Sequence, residues 1–357
     1  MKICPTCRQQ YEKPEQMFCS QDGTALVAAP PQDEPPPGAW QKINLQAAQN
    51  PPVEVSVEIE HPKRAYFPGD IIRGTVMLNG ASSSLSGQNL AIGLIYEEQY
   101  ISIISQRVSS RSTDAWGKDY KDHEYHYTNV KNFDSYWVRG KQITETDLKG
   151  GAARQTFDFA LQIPANAVPP YTSEVIVSAW SIKVLYGSSV LHEIFIPLIV
   201  PPPGEMAQAG QYGTQEDEGR LTMRFALPKL GYVEGETING QIVAVAREDM
   251  KLYRIVVKFE RHDEVNVPKQ ENHKIFDTQT INIAENAVLR SGVAAAFDFS
   301  IPLHSPNHPT RQSPSGINRS FCTLTAEIHR KTWIVIGEQP SVKTEIFFYN
   351  GNCLNQA

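Results

Sequence analysis

Tyr66-Phe67-Pro68-Gly69-Asp70-Ile71-Ile72-Arg73-Gly74-Thr75-Val76 and Tyr232-Val233-Glu234-Gly235-Glu236-Thr237-Ile238-Asn239-Gly240-Gln241-Ile242 are two copies of one pattern, Tyr-x-x-Gly-[Asp/Glu]-x-Ile-x-Gly-x-[Val/Ile]. Gly69 and Gly235 supply the positive φ of a tight turn, and Pro68 presets the residue before it in the first copy. A strand then begins, with Ile72 and Val76, or Ile238 and Ile242, on its core face. Gly74 and Gly240 lie on that same face, where a missing side chain permits a close backbone approach or a bulge.

The match extends in both directions from the turns. Upstream, Val53, Val55, Val57 and Ile59 alternate with polar residues, as do Leu221, Met223, Phe225 and Leu227. Downstream, Ile92, Leu94 and Tyr96 correspond to Ile255, Val257 and Phe259. Phe157-Asp158-Phe159 with Ile163-Pro164 corresponds to Phe297-Asp298-Phe299 with Ile301-Pro302. Both copies close on alternating strands, at 176–184 and 193–199 and again at 321–328 and 342–348. Period-two alternation broken by Gly, Pro, Asn and Asp describes short strands with one buried face, so the expected fold is all-β, with two tandem β-sandwich domains.

The expected organisation is a small module over 1–26, a proline-rich linker over 27–52, a sandwich over 53–200, a second linker over 201–219, a second sandwich over 220–350 and a tail over 351–357. Prolines 30, 31, 35, 36, 37, 51 and 52 hold the first linker extended and unable to join a sheet. The two copies are unequal. Tyr66 and Tyr232 lie 166 positions apart, but Phe157 and Phe297 lie 140 apart, so the first copy carries 26 more residues, around Ser105 to Gly151. That insertion holds Trp116, Tyr120, Tyr125, Tyr127, Tyr136 and Trp137, ring types that anchor protein interfaces, and these six are the candidate partner-binding residues. A long hairpin packing the same rings on itself is the competing reading. Asp122-His123-Glu124-Tyr125-His126 in that stretch reads as a solvated loop, because His-Glu-x-His is not the helical His-Glu-x-x-His of zinc proteases.

The paired turn motif, the Phe-x-Phe…Ile-Pro segments and Pro169-Pro170-Tyr171 together resemble the arrestin N- and C-terminal domains over roughly residues 53–349. The resemblance implies two arrestin-like, immunoglobulin-like sandwiches and a non-enzymatic adaptor of protein partners. No match is found to the phosphate-sensing lysine pair or the buried charged cluster of receptor arrestins. The Pro-Pro-x-Tyr motif of α-arrestins is also missing, since Pro169-Pro170-Tyr171 lacks the spacer residue.

Cys4-x2-Cys7 followed by Phe18-Cys19-Ser20-Gln21-Asp22-Gly23-Thr24-Ala25-Leu26 resembles a short zinc ribbon of the kind found in multidomain bacterial proteins. Thiolates at two-residue spacing turn toward a single tetrahedral ion, and an aspartate oxygen can complete the shell. Cys4, Cys7, Cys19 and Asp22 are therefore the candidate ligands of one structural zinc; the competing reading leaves the three cysteines free. A module this small has too little core to fold without the metal. Cys322 reads as a small buried hydrophobe and Cys353 as a free thiol.

Composition narrows the function. The chain of 357 residues carries a net charge of −6, and the first 26 residues hold only Lys2, Arg8 and Lys13 as basic groups, so nucleic acid is not an expected partner. No apolar run is long enough for a membrane span or a secretory leader, and three clustered cysteines suit a reducing compartment, so a cytoplasmic protein is expected. Nucleophile-elbow, phosphate-loop and dinucleotide-turn motifs are missing. The expectation is a binding scaffold; a peripheral membrane- or vesicle-associated trafficking protein is the alternative.

Overall fold

The computed structural model describes residues 2–3, 10–11, 27–28, 40–48, 53–62, 64–80, 90–113, 119–143, 154–200, 209–217, 220–233, 235–268, 270–303, 309–330 and 340–349. The chain divides into Met1–Trp40 and Gln41–Ala357. In the first unit Lys2–Ile3 is the centre of a small antiparallel sheet, flanked by Gln10–Tyr11 and Val27–Ala28. Cys4, Cys7, Cys19 and Asp22 lie outside the described residues.

The second unit is all-β and consists of two tandem sandwiches. The first contains β1 (Glu54–Ile59), β2 (Ile71–Asn79), β3 (Leu90–Thr113), β4 (Asp119–Ile143), β5 (Arg154–Gln162), β6 (Ile176–Tyr186) and β7 (Ser189–Ile196). One of its sheets runs β5-β2-β1, the other β4-β3-β6-β7. The second contains β8 (Gly210–Asp217), β9 (Leu221–Leu227), β10 (Thr237–Ala246), β11 (Met250–Val267), β12 (Gln270–Glu285), β13 (Ala294–Pro302), β14 (Asn318–Arg330) and β15 (Ser341–Tyr349). Its sheets run β8-β9-β10-β13 and β15-β14-β11-β12. Alternation places Ile72, Val76 and Leu78 opposite Leu94, Trp180 and Ile182 in one core, and Phe225, Ile238 and Ile242 opposite Val257, Leu324 and Ile346 in the other.

The repeated turn builds the same clasp twice. The Phe67 carbonyl accepts from the Asp70 amide, and Val233 from Glu236, while φ is +90° at Gly69 and +83° at Gly235. The acidic side chain then turns back: Asp70 accepts from the Phe67 amide at 3.1 Å and Glu236 from the Val233 amide at 2.9 Å. A basic residue closes each clasp, with Arg64 pairing with Asp70 over the Tyr66 ring and Lys229 pairing with Glu236 over the Tyr232 ring. The Asp/Glu of the pattern is therefore a turn cap, which explains why either acid serves.

Gly74 and Gly240 have a common use. Gly74 pairs with Phe159 and Gly240 with Phe299 across the ladder. Each phenyl ring lies over its glycine, so that a Cβ there would sit 2.7 Å from the ring. The second glycine of the turn motif and the second phenylalanine of Phe-Asp-Phe are thus one packing unit, repeated in each sandwich.

Two features depart from the sequence expectation. Residues 41–47 join the first sandwich: Gln41–Ile43 pairs antiparallel with β4 and Gln46–Ala47 parallel with β7, the two outer strands of one sheet. This stretch carries none of the linker prolines, so its amides can donate. The inserted residues lengthen two strands into one long hairpin, the competing reading of the insertion, and this places residues 122–126, expected as a loop, within β4. β3 and β4 pair antiparallel from Leu90↔Ile143 to Thr113↔Asp119, with one bulge where the register shifts between Leu94 and Ile95. Midway along this hairpin Ile104 pairs with Gln270 of β12, which makes one continuous sheet through both sandwiches.

Candidate functional site

Where the hairpin meets the second sandwich, period two determines which side chains are trapped. Leu94, Tyr96, Glu98, Tyr100 and Ser102 lie on one face of β3, and the face that begins in the first core continues against β11, β12 and the Arg311–Gln312 strand. Glu98 and Arg311 meet there with fully buried side chains; Arg311 Nη2 donates to Glu98 Oε2 and to the Tyr96 hydroxyl, both at 2.8 Å. The Tyr136 hydroxyl lies 3.3 Å from both Glu98 Oε1 and Asp134 Oδ2, and Tyr100 donates to Asp134 Oδ2. Lys42 Nζ approaches Asp134 Oδ1 at 2.5 Å. Beside this group, Asp263 of β11 accepts from the Tyr171 hydroxyl at 2.6 Å and from Ser173 Oγ at 2.5 Å.

Burial pushes the Glu98 carboxyl above its ordinary range; Arg311 opposes that shift and Asp134 adds to it. The Tyr96, Tyr100, Tyr136 and Tyr171 phenols are also raised, first by burial, with neighbouring carboxylates adding to the effect. The junction is therefore a largely buried polar cluster in which Arg311 of the second sandwich supplies the counter-charge of Glu98 in the first. Removing either member of the Glu98–Arg311 pair strands a buried charge. Ser102 donates to Gln270 at 2.9 Å and Asn272 to the Ile101 carbonyl at 2.9 Å, which secures the base of the hairpin to β12.

A second cluster occupies the opposite face of β11. His262 stacks between His273 and Phe321, and Arg319 lies over the far side of the Phe321 ring. Its ring nitrogens contact His273 Nε2 at 3.0 Å and Thr323 Oγ1 at 2.8 Å. Burial, then Lys343 and His273, depress the His262 pKa to about 4. His262 is a neutral packing element at physiological pH. Among the described residues no group of three His, Cys, Asp or Glu could hold a metal ion.

The structure distributes the six candidate partner-binding rings unevenly. Tyr125 and Tyr127 are 53% and 71% exposed on the outer half of the hairpin, and Phe133, which lies on the same face, is 59% exposed. Tyr120 is placed only by its backbone, opposite Ser112, and Trp116 lies outside the described residues. Tyr136 is buried in the junction, because its position in β4 falls on the core face, and so it is not a surface anchor. Trp137 lies flat over Gly93 and Gly140, where a Cβ on either glycine would overlap its ring, and it serves to pack the sheet.

The buried charged cluster is what sequence reasoning missed. Glu98, Asp134, Asp263 and Arg311 are separated by up to 213 positions, and each sits in a strand where a polar residue reads as solvent-facing. One signal was present: Glu98 follows Leu94 and Tyr96 on the buried parity of its strand.

No family model and no characterised protein sequence matches the chain. Among solved structures the chain is similar to the crystal structure of Spo0M, a sporulation control protein from Bacillus subtilis, at 15% identity and a TM-score of 0.31. That alignment covers 37% of this chain and 51% of the Spo0M chain. Among the described residues no helix is long and apolar enough to cross a membrane.

Proposed function

We propose that this protein is a non-enzymatic adaptor: the two sandwiches act as one rigid platform and the β3–β4 hairpin is an arm that engages a protein partner. The observation that carries this reading is the outer half of the arm, where Tyr125 and Tyr127 present exposed rings beyond the point at which β3 contacts β12. From Ile104 to Thr113 the arm continues for roughly 30 Å at about 3.3 Å per residue. Exposed tyrosines on a rigid strand pair supply contact area at low entropic cost. The buried junction supports the platform half of the reading, since it ties the base of the arm to both sandwiches. The resemblance of the repeated turn motif to arrestins agrees with it.

Shortening the arm tests the idea. Residues 105–127 are replaced by an Asn-Gly turn, which suits the two-residue hairpin that Ile104 and Thr128 would then flank. The variant should keep its melting temperature within a few degrees and lose the partner that the intact chain captures from its native cell extract. Retention of every partner by the shortened protein would refute the arm as the binding element.

The same proposal gives Cys4, Cys7, Cys19 and Asp22 a structural zinc ion that folds the N-terminal module. The spacing of the thiolates supports it. Untagged protein purified without added metal should carry about one zinc per chain, and Cys19→Ser should remove most of it. Metal content far below one, unchanged by Cys19→Ser, would show that the module holds none.

A further inference from the structure

Among the described residues the two Phe-Asp-Phe strands, β5 and β13, end their sheets: each pairs on one side only, β5 with β2 and β13 with β10. Ile163 exchanges backbone bonds with Gly69 and Asp70, and Leu303 with Gly235 and Glu236. Bonded residues alternate along an antiparallel ladder. Thr156, Asp158 and Ala160 of β5, and Ala294, Ala296, Asp298 and Ser300 of β13, therefore direct their amides and carbonyls away from the sheet.

The two edges are not equally available. In the first sandwich Lys141, from β4 of the other sheet, donates to the outward carbonyl of Asp158 at 2.9 Å and so occupies an acceptor that an added strand would use. The outward carbonyl of Asp298 has no such donor among the described residues. Along that side of the second sandwich β12 comes alongside β13. Ala295 and Phe297 of β13, with Ile281 and Ile283 of the neighbouring β12, are half-buried against the core and form an apolar seam along the edge. Pro302, which has no amide, ends the series of outward donors.

Resting on the adaptor reading, we propose that the free edge of β13 docks an extended peptide segment of a partner protein as an added strand. The peptide would have apolar residues at alternate positions and a basic residue facing Asp298. Only an extended backbone can satisfy outward amides and carbonyls at every second residue, and main-chain bonds of this kind provide the affinity of strand-addition complexes. Apolar side chains on one face of the peptide close the Phe297–Ile281–Ile283 seam. On its other face Asp298, held by Gln241 Nε2 at 2.8 Å, offers a fixed negative charge.

The probe is a fluorescein-labelled nine-residue peptide of alternating valine and threonine, with one lysine in place of the central threonine. It is titrated by anisotropy against the full chain. Saturable binding is expected, and N-methylation of the alternate peptide amides that face the edge should weaken it at least about tenfold, because the ladder bonds are lost. Ala296→Pro removes one outward donor without removing a bond to β10, so it should weaken binding similarly while leaving the melting temperature nearly unchanged. Shortening the arm should leave peptide binding intact, so failure at the edge and failure of the arm are separate results. The proposal is overturned if the peptide does not bind, if N-methylation leaves binding unchanged, or if Ala296→Pro binds as well as the parent. It is equally overturned if sedimentation shows the edge occupied by a second copy of the chain. The N-methylation comparison decides the matter even if Ala296→Pro does not fold.

Discussion

Replacing Arg311 by methionine leaves Glu98 buried opposite an apolar side chain. The lost contact is a 2.8 Å ion pair with neither side chain exposed. Unit charges about 4 Å apart attract by about 4 kcal/mol at an effective dielectric near 20. Removing one partner of a buried pair costs about 3–5 kcal/mol, because the remaining charge has no water to return to. The remaining neighbours of Glu98, the Tyr96 and Tyr136 hydroxyls at 3.4 and 3.3 Å and the Asn318 side chain, are neutral and do not replace the lost positive charge. Urea unfolding followed by tryptophan fluorescence, to which Trp180 contributes from a ring 5.2 Å from that of Tyr96, should therefore show Arg311→Met destabilised by about 3–5 kcal/mol at pH 7. The double variant Glu98→Gln with Arg311→Met should recover most of that loss, since no charge remains to be buried. The deficit should also depend on pH. Glu98 has a folded pKa above its unfolded value, and loss of Arg311 raises it further, so the folded variant takes up a proton before the unfolded chain does. The gap between parent and variant therefore narrows as the pH is lowered and the folded variant takes up that proton. A loss below about 1 kcal/mol, or a double variant worse than the single one, would show that the pair does not hold the sandwiches together.

Three further outcomes follow from the geometry. Gly74→Ala should cost more than Gly240→Ala within the usual overpacking range of about 1–3 kcal/mol. The added methyl at 74 meets the Glu58 carbonyl oxygen at 2.3 Å, whereas at 240 its nearest neighbours are the Leu227 and Phe299 side chains, which can shift; equal melting temperatures would contradict this. His262, with a folded pKa near 4 against about 6.5 unfolded, binds fewer protons folded than unfolded between those values. Stability should hold above pH 6.5 and fall by about 2–3 kcal/mol as the pH drops toward 4, and His262→Gln should flatten that slope in pH-resolved unfolding curves. Asp70→Ala should destabilise the first sandwich by about 1–2 kcal/mol through loss of the turn cap. Asp70→Glu should retain most of the stability, because the second copy already builds the same clasp with Glu236.

What could be read from the chain alone was whatever depends on neighbours a few residues apart. The turn at Gly69 and Gly235, the alternation of β2 and β9, and the small residue at Gly74 and Gly240 are local demands of backbone geometry. Being local, they leave a pattern visible without coordinates, and repetition made the tandem sandwiches legible. Tertiary structure alone decided the rest. Whether a ring in the insertion is surface or core depends on what lies opposite, so Tyr127 is exposed and Tyr136 buried although both lie on β4. Sequence likewise does not reveal that Glu98 is neutralised by Arg311, 213 positions away, because an isolated charge in an alternating strand is as compatible with solvent as with a buried partner. The unequal edges have the same origin: β5 and β13 share the Phe-Asp-Phe sequence, and among the described residues the approach of Lys141 from another strand tells the two edges apart.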